Sequence, residues 1–192
     1  MTDPEPAISP HGRAAEFRRR AEQLRGVAAA RGAGAALLAS RRNFAWLTVG
    51  GLNHVVSASE EGAASILVTA SEVVALAPIN EAARLADEEL TDLPIEVVTL
   101  DWFEPGAAAA DAGRRARGAV LVDDDVERDL VPIRSVLSDV DQLRLAWLGR
   151  RVRDALADAV VAVQAGDTEL EAAVRLTAAL ERDGVRAPVS LA

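Results

Sequence analysis

The chain has 192 residues, a formal net charge of −9 and 50% hydrophobic residues, which suits one globular domain and the start of another rather than a disordered chain or two large domains. The acidic balance argues against nucleic acid or an anionic membrane as the main partner, because both need basic patches. Cys, Lys and Tyr are absent, so thiol nucleophiles, disulfides, zinc–thiolate and iron–sulfur centres, Schiff-base lysines and P-loop lysines are all excluded.

Residues 1–12 carry acids and prolines without an apolar core, so they read as a flexible arm and not as a signal peptide. Residues 13–30 read as a helix, with Phe17, Ala21, Leu24 and Ala28 at helical spacing and Arg18, Arg19, Arg20 and Arg25 turned mostly to water. Gly32 and Gly34 end it. Strands follow at 35–39, 55–57, 65–69 and 73–77, bounded by Gly, Ser, Asn or Pro. Residues 80–90 read as helix, 95–100 as strand, 107–117 as helix, and 119–122 as a strand running into Asp123-Asp124-Asp125. Strands alternating with helices imply a mixed or parallel sheet covered by helices, hence an α/β domain over 13–138.

From Ser138 the pattern changes. Ser138 with Asp141 is a helix N-cap signature, and Leu145, Leu148, Val152, Leu156, Ala159 and Val163 then recur every three or four residues. Thr168 with Glu171 opens a second helix, carrying Leu170, Ala173, Val174, Thr177 and Leu180 and closed by Gly184. Two successive amphipathic helices need something to cover their apolar stripes. The sequence over 139–192 therefore reads as cut before the rest of a second domain, the alternative being that the helices pack on the sheet or on each other. No apolar run reaches about 18 residues, so no transmembrane helix is expected, and a cytoplasmic location is the default expectation.

Asp123 and Asp124, with Asp125 and Glu127, follow a strand, where carboxylates bind magnesium or serve phosphate chemistry. A solvated acidic turn that starts a helix is the stronger reading, because no Lys or Gly-rich loop accompanies them. Gly32-Ala33-Gly34 precedes a strand instead of following one and is not a dinucleotide loop. Pairing His54 with Ser57 or Ser59 as a nucleophile is weak, with no Gly-x-Ser-x-Gly elbow present. Only two histidines exist, His11 and His54, too few to build a hard divalent site with scattered acids.

The segment Asn43-Phe44-Ala45-Trp46-Leu47-Thr48-Val49-Gly50-Gly51 resembles the Asn-hydrophobic-x-aromatic-Leu-Thr-Gly segment in the amino-terminal domain of the creatinase, prolidase and aminopeptidase P family. Glu81-Ala82-Ala83-Arg84 is similar to a Glu-x-x-Arg segment of those proteins, and Val120-Leu121-Val122-Asp123-Asp124 to their strand ending in acids. Leu143-Arg144 with Leu148-Gly149-Arg150 looks like the start of their linker helix, and Gly166-Asp167-Thr168-Glu169 like their Gly-x-Thr-Glu turn. The resemblance runs from Arg13 to about Pro188. Two positions depart from it: Val49 stands between Thr48 and the glycines, and Asp141-Gln142 stands where a Glu is common.

The resemblance implies a creatinase-type amino-terminal α/β domain with a ribonuclease H-like motif, followed by two helices that begin a pita-bread domain. It implies an Xaa-Pro peptidase-like hydrolase whose two divalent metal ions (manganese, cobalt or zinc) are held by two Asp, one His and two Glu in the carboxy-terminal half. None of those ligands has a matching position here. No catalytic residue, metal ligand or cofactor is therefore expected in this chain, which would be inactive alone. Its partners would be a second copy or a catalytic pita-bread domain, with peptide substrate only alongside that half, and no nucleic acid or membrane. Asn53, His54 and Trp46 are the candidates for lining a substrate pocket, because this part of related proteins faces the catalytic centre. The competing reading makes His54 a turn residue and Trp46 a core residue. A free-standing dimerisation or ligand-binding module and a magnesium-dependent enzyme using Asp123 and Asp124 are the alternatives.

Overall fold

In β1 (Ala35–Ser40), Ala36 and Leu38 point into one apolar cluster while Ala35 and Leu37 point into another. This is the two-residue period of a strand buried on both faces. The same alternation runs through β2 (Glu61–Thr69) and β3 (Val73–Pro78), where Ile66, Val68, Ala75 and Ala77 face one side and Leu67, Val74 and Leu76 the other. A computed structural model describes residues 6–56 and 58–187. Its five-stranded sheet has the order β4-β3-β2-β1-β5, with β4 at Glu96–Leu100 and β5 at Val120–Val122. The β1–β2 and β2–β3 pairs are antiparallel, and β3–β4 and β1–β5 are parallel. The mixed α/β architecture read from the sequence is the one observed.

One face of the sheet is covered by α1 (Pro10–Ala30), α2 (Arg41–Leu47), α3 (Ile79–Arg84) and α5 (Asp123–Ser135), which contribute Phe17, Leu24, Phe44, Leu47, Ala82 and Leu130 to the core. The other face is covered by α4 (Ala107–Arg115) through Ala112, Ala108 and the following Ala116. Burying a large aliphatic or aromatic side chain contributes about 1.5–3 kcal/mol, so the larger cluster dominates the stability of this unit. Gly34 lets two chain segments cross. Its amide donates to Ala119 O at 2.9 Å, and a Cβ there would sit 2.4 Å from Arg117 O.

The chain divides into two units, Ile8–Val136 and a second that contains the chain from Leu137 onward. In the second, α6 (Asp139–Ala162) and α7 (Glu169–Arg182) pack through Ala155, Ala179 and Leu180, with Trp147 and Leu176 alongside. Both expected capping boxes form: Asp141 N and Glu171 N donate to Ser138 Oγ and Thr168 Oγ1 at 3.3 Å, and Asp141 and Glu171 accept in return from the cap amides. No helix among the described residues is long and apolar enough to cross a membrane.

The structure corrects several sequence expectations. The first helix begins at Pro10 behind the N-cap Ser9, so Pro10, His11 and Gly12 belong to it and not to an arm. Arg20 is not turned to water. It is 3% exposed, donates to Glu16 and to Trp46 O, and lies over the Trp46 ring at 6.0 Å. Val55 and Val56 form a bend instead of a strand, and both are exposed. Ser57 and Pro188 lie outside the described residues. The helix over 80–90 is α3 followed by a π turn, Leu85–Glu89, in which Leu90 N donates to Leu85 O. The acids after β5 do start a helix, as expected, and that helix, α5, has thirteen residues and runs on past Pro132.

Candidate functional site

Strand β1 passes directly into α2, and the polar groups at that junction converge on one carboxylate. Asp123 accepts from Ala39 N at 2.6 Å, Ser40 N at 3.2 Å, Ser40 Oγ at 2.5 Å and Asn43 Nδ2 at 2.7 Å. Arg134 of α5 donates to the other side of the Asn43 amide and to Glu127 at 2.7 Å, and Glu127 also pairs with Arg42 at 3.3 Å. Burial works against ionisation of Asp123, but the hydrogen bonds from Ser40, Ala39 and Asn43 outweigh it and hold its carboxyl below the usual aspartate range.

Asp123 is therefore neither a solvated turn acid nor a free metal ligand: its oxygens are already occupied by donors that clamp α5 to β1 and α2. Asp124 is exposed, and Asp125 caps α5 by accepting from Val122 N at 2.9 Å. Among the described residues, no three carboxylate or imidazole groups come together where they could hold an ion.

The segment leaving α2 carries the other candidates. Thr48 is buried, donates to Phe44 O at 2.7 Å and accepts from Gly51 N at 3.0 Å. Val49 follows at φ 59°, in left-handed backbone that β-branched residues avoid, and Gly50 at φ 104°. The valine that departs from the family segment thus sits in the turn itself, with its side chain buried as compensation. The loop beyond is tied down by Leu52 N to Glu89 at 2.6 Å, while Arg84 pairs with Glu81 at 2.9 Å and with Glu89 at 3.3 Å. The Glu-x-x-Arg segment is thereby an ion pair whose arginine also holds this loop's anchor.

Asn53 is 2% exposed and uses both ends of its amide on β2: Nδ2 donates to Ala64 O at 2.7 Å and Oδ1 accepts from Ala64 N at 2.9 Å. The side chain stands in for a strand, and it is buried against β2 instead of facing solvent. Trp46 is half-buried against the core under Arg20. His54 is half-buried, and its Nδ1 is enclosed without a hydrogen-bond partner. Ser59 Oγ donates to Glu61 O and not to His54, which removes one of the two nucleophile pairs weighed above. Among the described residues no hydrogen bond or ring contact links Trp46, Asn53 and His54, so the three share a segment without forming a joint site. Sequence reasoning missed Asn43 as a partner of Asp123 and Arg134 as a partner of Asn43; the only local signal was the Asn that opens the family-like segment.

No protein-family model matches the chain, and no curated protein matches it. Solved structures do. A prolidase from Thermococcus sibiricus matches with a TM-score of 0.62 at 18% identity, over 94% of this chain and 52% of that one. An X-Pro aminopeptidase from Thermotoga maritima matches at 0.60 and 13%, over 86% and 49%. An Xaa-Pro dipeptidase from Bacillus anthracis matches at 0.57 and 11%, over 88% and 50%. The chain thus spans about half the length of the structures it resembles. At these identities the likeness is one of fold: this chain has a fold found in about half of a prolidase or Xaa-Pro peptidase chain.

Proposed function

We propose that the chain serves as the amino-terminal, non-catalytic half of an Xaa-Pro peptidase-like protein, packing on a metal-holding half and helping to wall its substrate pocket. The observation that carries this is the coverage: three peptidase structures account for 86–94% of this chain, and the chain for only about half of each. The motif order from Asn43 to Glu169 supports the amino-terminal position. The apolar faces of α6 and α7 support a missing partner surface, since Leu143, Leu156, Val160, Leu170 and Val174 are all exposed. Of the three pocket candidates, His54 carries an enclosed ring nitrogen with no hydrogen-bond partner, whereas both ends of the Asn53 amide bond β2 and the Trp46 ring lies under Arg20. The two divalent ions of the family would be held entirely by the other half.

The test is hydrolysis of Xaa-Pro dipeptides with manganese or cobalt. The 192-residue chain alone should show no turnover above the metal blank. Supplying a metal-holding half, in the same reading frame or as a second chain, should restore turnover and abolish binding of a hydrophobic dye to α6 and α7. Metal-dependent turnover by the chain alone would overturn the proposal.

A further inference from the structure

The backbone leaves ordinary geometry at two places that meet in space. Val49 lies in the left-handed region at φ 59°, where a β-branched residue is strained and persists only if its surroundings hold it there. The second place is the π turn Leu85–Glu89, in which Leu90 N donates to Leu85 O at 2.9 Å. Residues five apart point about 140° away from each other round an α-helix, so an ordinary turn would draw Leu85 or Leu90 out of the core. The π turn buries both, at 0% and 3% exposure, and packing therefore fixes where it sits.

The same five-residue period brings Glu89 to 3.3 Å from Arg84, a pairing that the three- and four-residue spacing of an α-helix does not give. From this fixed position Glu89 reaches both flanks of the strained segment. Its carboxylate, 14% exposed with its side chain, accepts from Leu52 N at 2.6 Å. Its carbonyl accepts from Arg13 Nη2 at 2.5 Å, and Arg13 Nε donates to Thr48 O at 3.1 Å. Inside the segment Gly50 N donates to Ala45 O at 2.8 Å and Gly51 N to Thr48 Oγ1 at 3.0 Å. A shielded carboxylate accepting at short range makes the stronger kind of hydrogen bond, so the Leu52 contact is the firmer grip.

We propose that Glu89 is the latch of a strained turn: its carboxylate keeps Val49 left-handed, and on its release residues 49–52 open as a local unit while the sheet stays folded. Relief of the strain at Val49 favours the open form. The latch and the burial of the Val49 side chain favour the closed one. The motion stops at Asn53, which both bonds to Ala64 hold on β2. Opening uncovers Phe44 and Thr48, on which Gly51 packs so closely that a Cβ there would lie 3.2 Å and 2.6 Å from them. This inference requires no catalytic half and stands or falls separately from the peptidase reading.

Amide exchange by NMR on the full chain tests it, with Gly50 and Gly51 as reporters, because their printed partners lie within residues 44–51 and not on Glu89. Glu89→Ala should speed exchange at both by about tenfold or more, and leave Ala64 and the amides of β2 and β3 within about twofold of the wild type. Glu89→Gln should fall between the two, since its amide oxygen still accepts from Leu52. In a Val49→Gly background, where glycine is at ease at positive φ, Glu89→Ala should speed Gly50 and Gly51 by no more than about threefold, because no strain remains to drive the opening. Faster exchange at Leu52 alone would show a lost hydrogen bond without a turn that opens, and would overturn the proposal. An equal rise at Ala64 and throughout the sheet, or an undiminished effect in the glycine background, would overturn it as well.

Discussion

Asp123→Ala is expected to lower the unfolding free energy of the Ile8–Val136 unit by about 3 kcal/mol, because each buried donor left without its acceptor costs about 1–3 kcal/mol. The carboxylate ties together three elements that are distant in sequence: the end of β1, the first turn of α2 and the start of α5. Without it, Ala39 N and the Asn43 amide lose acceptors that water cannot fully replace, since Asn43 is fully buried. Equilibrium denaturation in urea measures the loss. Asp123→Asn should cost less, because an amide oxygen still accepts one or two of these bonds, but its NH2 would face the donors Ala39 N and Ser40 N.

The same group gives the unit an acid-sensitive component. The folded pKa of Asp123 lies below its ordinary value of 3.8. A depressed carboxyl contributes stability that is fully present above the unfolded pKa and is lost as the pH falls through the folded pKa. Urea midpoints should therefore hold steady through neutral pH and fall below about pH 4, near the unfolded aspartate pKa, and Asp123→Asn should flatten part of that fall. Glu16, lowered by its hydrogen bond to Arg19, and Asp111, where burial is outweighed by Arg115 and Arg114, add to the wild-type slope and remain in the variant.

Gly62→Ala is expected to be nearly as damaging, at about 2–4 kcal/mol, since it leaves buried amide and carbonyl groups of β2 unpaired. A Cβ at residue 62 would lie 2.0 Å from Asn53 Nδ2 and 2.5 Å from Asn53 Cγ. Asn53 cannot swing aside without giving up both bonds to Ala64, and its backbone carbonyl, which accepts from Ala63 N, is itself only 3.0 Å from the new carbon. Loss of this clamp should also free the loop that carries His54. Urea denaturation checks the stability loss, and faster amide exchange of Ala63 and Ala64 checks the mechanism.

What the sequence revealed divides along the line between local and distant causes. The capping boxes at Ser138 and Thr168 were legible because both partners lie within three residues, and β3 was legible because Val73 to Ala77 is an apolar run bounded by turn residues. The start of helix α5 was legible in its run of acids, but its length was not, because Pro132 interrupts the helical pattern, nor was the contact of Asp123 with Ala39 and Ser40, more than eighty residues away. Val55 and Val56 have strand propensity but no partner strand, and propensity without pairing made no strand. Strand β2 starts earlier than its sequence suggests, since Asn53 pairs with the weakly strand-forming stretch around Gly62 to Ala64. The candidate pocket residues were named on resemblance, and only the structure shows that Asn53 is consumed by β2 and Trp46 by Arg20 while His54 keeps an unengaged nitrogen.

The account rests on the claim that this chain does not itself assemble a pair of hard metal ions, because among the described residues no three of its carboxylate or imidazole groups converge on one point. Isothermal titration of manganese and of cobalt into the purified chain at neutral pH tests it most directly. The predicted result is no saturable binding, only weak heats that disappear on adding salt. Stoichiometric uptake of two ions per chain at micromolar affinity would contradict it.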